Sequence, residues 1–328
     1  MLTPIAISVG IYLAIAIGLI LSQRPRLLNV GDGLKFNTQS SGIKLAALQP
    51  YTPRDGALLH YRDFACDTGP LVVMLHGSGW HGACFNDFAC DLASRGVAHV
   101  LAPDLRGHGP NTSTRGDCSY IGQLSDDLDD LISQHRRADQ SLIVIGHSSG
   151  GGLAIQHASG TPKHRPDHVV LLSPFIHYAA PTMRPNSGNW AFALTRRIIG
   201  LVMLNFAHIR LLNGLIAIQF NMPDWVKEKG GTDRYSYRLN ASYAPRNAWK
   251  TDITNLSNYT LIVGSEDEAF LPDQFEPTLS ALNEHGSYEI IVGATHLGLL
   301  DDPKMMANII NTITTYSTGD CLANTPTH

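Results

Sequence analysis

A chain of 328 residues with 44% hydrophobic and 16% charged side chains has a globular composition, long for one domain but ordinary for an α/β domain with an insertion. Its net charge of −4 comes with no basic stripe and no acidic tail, so nothing indicates nucleic acid as a partner. The fifteen histidines and five cysteines contain neither an HExxH helix nor paired Cys/His ligands, so no metal site is expected, and the thiols are expected to be mostly reduced.

The chain opens with MLTPIAISVGIYLAIAIGLILSQ, a stretch without a charged side chain. About twenty apolar residues in a helix reach about 30 Å, the thickness of a bilayer core. A secretory signal would carry a basic residue ahead of a shorter run and a small-x-small cleavage site after it. Here the one Ala-x-Ala, Ala14 to Ala16, lies inside the run. Residues 1–23 therefore read as a membrane anchor in preference to a cleaved signal or a buried helix. Arg24 and Arg26 follow at once, which by the positive-inside rule favours the cytoplasmic face for that flank. Residues 24–44 read as a linker.

From about residue 45 strands and helices alternate. GALLHYRDF (56–64) is a strand after the turn PRDG, and LVVMLHG (71–77) is a continuous apolar run suited to a strand buried on both faces. A helix is expected over 83–95 and a strand over 97–104. Residues 120–135 place Ile121, Leu124, Leu128, Leu131 and Ile132 at helical spacing. A strand at 141–146, a helix at 149–159 and a strand at 168–174 follow. Residues 176–257 then break the alternation with apolar runs expected to be helical, notably 190–220, where interrupting Arg196, Arg197, His208, Arg210 and Asn213 argue against a second membrane span. The alternation resumes with YTLIVGSED (259–267), followed by a helix near 272–283, a strand at 287–293 and a helix over 301–316. This pattern predicts a mostly parallel sheet with helices on both faces, formed by 45–175 and 258–316. Residues 176–257 form a helical cap insertion over the carboxyl ends of the strands, where ligands bind in open α/β sheets. Residues 317–328 are expected to be a loose tail.

The chemistry concentrates at IVIGHSSGGG (143–152). Gly146-His147-Ser148-Ser149-Gly150 fits G-x-S-x-G between a buried strand and a helix, a placement that makes Ser148 the candidate nucleophile. Small neighbours let the chain turn sharply, and the helix behind aims its N–H groups at the reacting centre. A serine needs a base, and the base an orienting acid, in the chain order Ser, Asp or Glu, His. LIVGSEDEAF and IVGATHLGLL supply Asp267 and His296 just past strand ends. Glu266 and Glu268 are expected to be solvated loop charges. An oxyanion hole needs two preorganised N–H groups. Ser149, after the nucleophile, should give one. Ser78 should give the other, with Gly79 as its rival, from the loop His76-Gly77-Ser78-Gly79-Trp80. The side chains of His76 and His147 are expected to be structural.

With LHGSGWHG (75–82), PDLRGHG (103–109), GHSSGG (146–151), GSED (264–267) and GATHLGLL (293–300) in place, the chain resembles an α/β-hydrolase of the monoacylglycerol lipase and lysophospholipase (serine-aminopeptidase-like) group. The resemblance covers roughly residues 45–316. It implies the triad Ser148, Asp267 and His296, oxyanion donors Ser78 and Ser149, and loop-supporting roles for Asp104, Arg106 and His108. Pro110 departs from the serine that the group usually places after the RGHG turn. The expected activity is a cofactor-free serine esterase or lipase acting on lipophilic acyl esters. An amidase or peptidase with the same triad, and a non-catalytic binding protein of the same fold, are the alternatives. Epoxide hydrolases and dehalogenases resembling this fold place Asp at the elbow, which is Ser148 here.

Overall fold

A computed structural model describes residues 2–28, 33–36 and 42–317. Part of the expected linker and, beyond Ser317, the expected tail with Cys321 lie outside the described residues. The strands are β1 (Leu48–Tyr51), β2 (Leu59–Phe64), β3 (Leu71–Leu75), β4 (His99–Asp104), β5 (Leu142–His147), β6 (His168–Leu172), β7 (Ala191–Ala193), β8 (Ile216–Phe220), β9 (Arg234–Ser236), β10 (Tyr259–Gly264) and β11 (Gly286–Ile291). Eight of them form one sheet in the order β1-β2-β4-β3-β5-β6-β10-β11. Only the β1–β2 and β2–β4 pairings are antiparallel; from β4 to β11 every pairing is parallel.

Alternate residues of the central strands feed two apolar layers. Leu71, Val73 and Leu75 of β3 and Val144 of β5 face one side with Leu128, Leu131, Leu153 and Ile155. Val72, Met74, Ile143 and Ile145 face the other with Phe88, Leu92, Met305 and Ile309. The helices that supply these side chains are α2 (Asn86–Ser94), α3 (Gln123–His135), α4 (Ser149–Ser159) and α10 (Pro303–Ser317). Covered on both faces, β3 and β5 bury every residue, which is why they read as unbroken apolar runs. Ile121, counted with the apolar stripe of the third helix, precedes α3 and is exposed.

Between β6 and β10 the chain leaves the sheet. This region holds α5 (Thr195–Phe206), α6 (Asp224–Glu228), α7 (Tyr237–Tyr243) and α8 (Trp249–Thr254), together with a second sheet in the order β7-β8-β9. The run 190–220 is thus helical only in its middle. Ile216–Phe220 is a strand pairing antiparallel with β7 on one side and β9 on the other, with Ala217 and Gln219 buried between half-buried Ile216 and Ile218. Alternation over five residues was hidden in a run that is apolar on both faces. β1, which follows the linker, gave no signal because Gln49 and Pro50 make it an ordinary polar edge strand.

The N-terminal helix, α1 (Leu2–Leu21), is apolar all round and of membrane-spanning length. Its second half docks on α5. Ala16 and Ile20 pack with Leu201 and Leu204, and the main chain of α1 approaches so closely at Gly200 that a methyl group there would lie 2.5 Å from the Ala16 carbonyl. Tyr12 donates to the Met203 carbonyl at 2.8 Å, and Arg197 donates to the Gln23 carbonyl at 2.7 Å, so the two helices run antiparallel.

Candidate active site

Strand order reverses at β3, where the chain proceeds to β4 on one side and β5 on the other, so a crevice opens above the β3–β5 pair. The loops after β3, β5, β10 and β11 converge there. Ser148 follows β5 directly, with φ 54 and ψ −120, a left-handed conformation that a serine adopts only under constraint. The constraint is the strand-to-helix packing. A Cβ at Gly146 would sit 2.3 Å from the Gly150 carbonyl, and one at Gly150 would sit 2.1 Å from the Leu75 carbonyl. The helix α4 starts at the next residue, and Ser148 lies at the wall of a cavity it shares with His296.

His296 Nδ1 donates to Asp267 Oδ2 at 2.8 Å, and both side chains are buried. The other carboxylate oxygen, Oδ1, accepts the N–H groups of Ala269 and Phe270, each at 2.8 Å. Burial pushes the Asp267 carboxyl upward, but His296 and the Phe270 N–H outweigh it and hold it below the ordinary carboxylate range. Asp267 is thus ionised, which fixes the proton on His296 Nδ1 and leaves Nε2 as a base. Among the described residues, no direct hydrogen bond joins Ser148 Oγ to His296; apo sites of this kind often tighten only around substrate.

The main chain of His296 is gripped from two sides. His147, inside the elbow, donates from Nε2 to the His296 carbonyl at 3.0 Å. Burial lowers the His147 pKa to about 3, so the ring is neutral and its role is structural. Glu268 accepts the His296 N–H at 2.8 Å, so it is a bonded part of the loop and not the solvated charge the sequence suggested. The adjacent Asp267 signal masked it: of three acids in a row, only placement distinguishes them.

On the β3 side, Ser78 is half-buried against the elbow, its hydroxyl 2.6 Å from that of Ser149. The N–H groups of Ser78 and Ser149 have no acceptor among the described residues. The rival donor, Gly79, has one: its N–H donates to the Tyr235 hydroxyl at 2.6 Å. Tyr235 in turn lies 2.6 Å from His108 Nε2, whose Nδ1 faces the Arg106 carbonyl at 3.0 Å. Burial lowers the His108 pKa to about 4, so the neutral ring donates through Nδ1 and accepts from Tyr235. The RGHG turn is therefore linked to the loop after β3 through Tyr235, a link that no local sequence signal announces. Arg106 is itself fixed by a two-pronged pair with Asp127, both bonds at 2.7 Å, and Asp104 by Arg62 and the Gly82 N–H. His76, a neutral buried ring, accepts the Leu105 N–H at 3.1 Å and ties the same turn to β3.

The cavity above Ser148 has a volume of about 190 Å³. Its apolar wall combines Trp80 from the oxyanion loop with Trp190, Met222 and Trp225 from the cap and Leu34 and Phe36 from the segment after α1. Leu297, Leu300, Cys84, Asp87 and Asp301 close the remaining side. The four cysteines within the described residues are free thiols.

A serine on a strained elbow, a carboxylate-oriented histidine and two vacant N–H groups define the hydrolase architecture. A profile of the alpha/beta hydrolase family matches residues 72–309, and the chain belongs to that family. Among curated proteins it is similar to the AB hydrolase superfamily protein YfhM of Bacillus subtilis, 35% identical over 126 residues, or 38% of this chain and 42% of that protein. It is also similar to the proline iminopeptidase PfmaB of Pestalotiopsis fici, 32% identical over 117 residues, or 36% of this chain and 41% of that protein. These matches span less than half the length of either relative. Among solved structures, a soluble variant of monoglyceride lipase from Saccharomyces cerevisiae, in complex with a substrate analog, superposes with a TM-score of 0.62 at 17% identity, covering 87% of this chain and 99% of that one. At that identity the likeness is one of fold.

Proposed function

We propose that this chain is a membrane-tethered serine ester hydrolase that cleaves lipophilic acyl esters, of the monoacylglycerol or lysophospholipid type, through an acyl-enzyme. The observation that carries the reading is the strained Ser148 facing the same cavity as His296, whose Nδ1 is held by buried Asp267. Ser148 Oγ attacks the ester carbonyl as His296 Nε2 takes its proton. The tetrahedral oxyanion sits between the N–H groups of Ser78 and Ser149. His296 returns the proton to the leaving alcohol, and water, deprotonated by the same nitrogen, releases the acid.

The lipophilic part of the reading is supported by the tryptophan-rich cavity wall and by the outer surface of the molecule. The free half of α1 exposes Ile5, Ile7, Val9 and Ile11, and at and just beyond the end of α5 Phe206 is 80% and Leu211 91% exposed. Exposed apolar groups on α1 and around the end of the helix packed against it suit a lipid surface. Arg24 and Arg26 follow α1 directly, and that basic flank favours the cytoplasmic face. Residues 176–257 serve as the lid and 45–175 with 258–316 as the catalytic core.

The test is a hydrolysis screen of the detergent-solubilised full chain over acyl length and head group. The expected result is higher kcat/KM for medium and long acyl chains than for acetate. A sharp preference for short, water-soluble esters overturns the lipid reading. The partial match to a proline iminopeptidase favours amide cleavage as the second reading. Aminoacyl amides outcompeting acyl esters in the same screen would select it.

A further inference from the structure

We propose that Leu34–Phe36 is a strap that forms the outer wall of the acyl pocket, and that Glu268 ties this strap to the loop of His296. The proposal rests on the esterase reading of the site. Leu34 and Phe36 line the cavity of Ser148 although they belong to the segment that joins α1 to the sheet. Phe36 is half-buried in an aromatic nest. Its ring lies 5.7 Å from Trp190, 6.1 Å from Trp225 and 6.3 Å from Trp80, with the Trp225 contact edge-on. The strap thus meets the cap and the oxyanion loop at once.

Polar contacts hold the described residues of this segment at two places. Upstream, Gln219 of β8 accepts the Arg26 N–H at 2.9 Å and donates to the Arg26 carbonyl at 2.8 Å, and the Arg26 guanidinium stacks over Phe192 at 3.8 Å. At the pocket, the Lys35 N–H donates to Glu268 Oε1 at 3.3 Å, while Glu268 Oε2 accepts the His296 N–H at 2.8 Å. One carboxylate therefore holds both the substrate wall and the backbone of the catalytic base. An acyl chain lying against Phe36 and Leu34 presses on the strap, and the strap shares its fastening with His296. Phe36 and Leu34 are specificity residues under this reading, and Glu268 is a positioning residue that acts through both neighbours.

The test uses the full chain in detergent, with Phe36→Ala, Leu34→Ala, Glu268→Ala and Glu268→Gln. Two readouts are taken. One is the octanoyl-to-acetyl ratio of kcat/KM. The other, which needs no turnover, is binding of dibromostearate, read as quenching of the pocket tryptophans. Phe36→Ala is expected to lower the ratio and weaken dibromostearate by about tenfold each, the scale of removing one large apolar contact. Leu34→Ala should move both in the same direction by less. Glu268→Ala should lower kcat on both esters and also lower the ratio, but should not lower the ratio further in a Phe36→Ala background, because the clip selects through the strap. Glu268→Gln keeps one acceptor oxygen and should recover part of kcat. Both readouts unchanged in Phe36→Ala and Leu34→Ala overturn the strap. A Glu268→Ala variant that loses kcat but keeps its ratio and its dibromostearate binding overturns the clip. If the wild type turns over no ester yet binds dibromostearate through Phe36, the strap stands and the esterase reading falls.

Discussion

The two halves of the site are held together by different forces. Around Ser148 the loops are fastened by hydrogen bonds to main-chain atoms: His147 and Glu268 grip the His296 peptide, Tyr235 takes the Gly79 N–H, and Asp267 accepts two N–H groups besides the imidazole. Around the acyl cavity the walls come from the cap and from the segment after α1, and they meet mainly through aromatic contacts such as Phe36 with Trp190 and Trp225. Hydrogen bonds fix direction, whereas apolar contact is tolerant of shape and depends on burial. The first region should therefore govern rate and the second substrate choice, with Glu268, which bonds both the His296 N–H and the Lys35 N–H, the one residue whose loss moves both signatures.

The largest break in that comparison is expected at Ser148, the proposed nucleophile. Ser148→Ala should reduce kcat by about 10⁵ or more with binding of a long-chain product little altered, read by ester turnover beside fatty-acid binding. Asp267→Asn comes next. It removes the charge that orients His296, and about a 10⁴-fold loss of kcat at unchanged acyl preference is expected from steady-state kinetics on a chain-length series.

The buried histidines should make the fold acid-sensitive, three of them in the hydrogen-bonded half and His168 at the start of β6. His76, His108, His147 and His168 are buried, and burial holds their pKa values below the ordinary histidine value of 6.5, at about 4, about 3 and about 4 for the last three. The unfolded chain takes up these protons below about pH 6.5 while the native state refuses them down to about pH 4, so the fold loses stability as pH falls through that window. Each ring can contribute a slope of up to about 1 kcal/mol per pH unit there. Melting temperature followed from pH 7 to pH 5 should drop steeply, and His168→Gln should flatten the slope; a flat profile in the wild type would show that these rings are not buried neutral.

A smaller effect isolates the cap's reach into the oxyanion loop. Tyr235→Phe leaves the Gly79 N–H and His108 Nε2 unpaired, and a loss of about tenfold to a hundredfold in kcat with an unchanged chain-length profile is expected. The smallest effect belongs to Ser149→Ala. The backbone N–H survives, only the hydroxyl bond to Ser78 is lost, and kcat should fall by no more than several-fold. A Ser149→Ala enzyme as inactive as Ser148→Ala would reassign the attacking oxygen.

The contrast between the regions also explains what the sequence disclosed. The buried strands, the elbow glycines and the acid and histidine at strand ends are local patterns, each confined to a few neighbouring residues, and the structure brings Ser148, Asp267, His296, Ser78 and Ser149 to one crevice. Tyr235 and Glu268 act through partners far along the chain, so nothing beside them in sequence marks their contacts, whereas His147 lies within the elbow motif and its expected structural role is the one it has. The strand inside 190–220 was obscured because its half-buried face, Ile216 and Ile218, is as apolar as a core face, and Leu34 and Phe36 sit in a polar stretch where an isolated apolar pair carries no period. The membrane-length helix was legible as a composition, but its docking on α5 depends on Gly200, one small residue in a partner helix.

The most direct measurement of the central claim is fluorophosphonate labelling of the full chain, with the modified residue located by peptide mass spectrometry. A single adduct on Ser148, slowed strongly by Asp267→Asn and abolished by His296→Ala, is the predicted result. An adduct on Ser149, or no adduct in a folded protein that binds fatty acid, would contradict it.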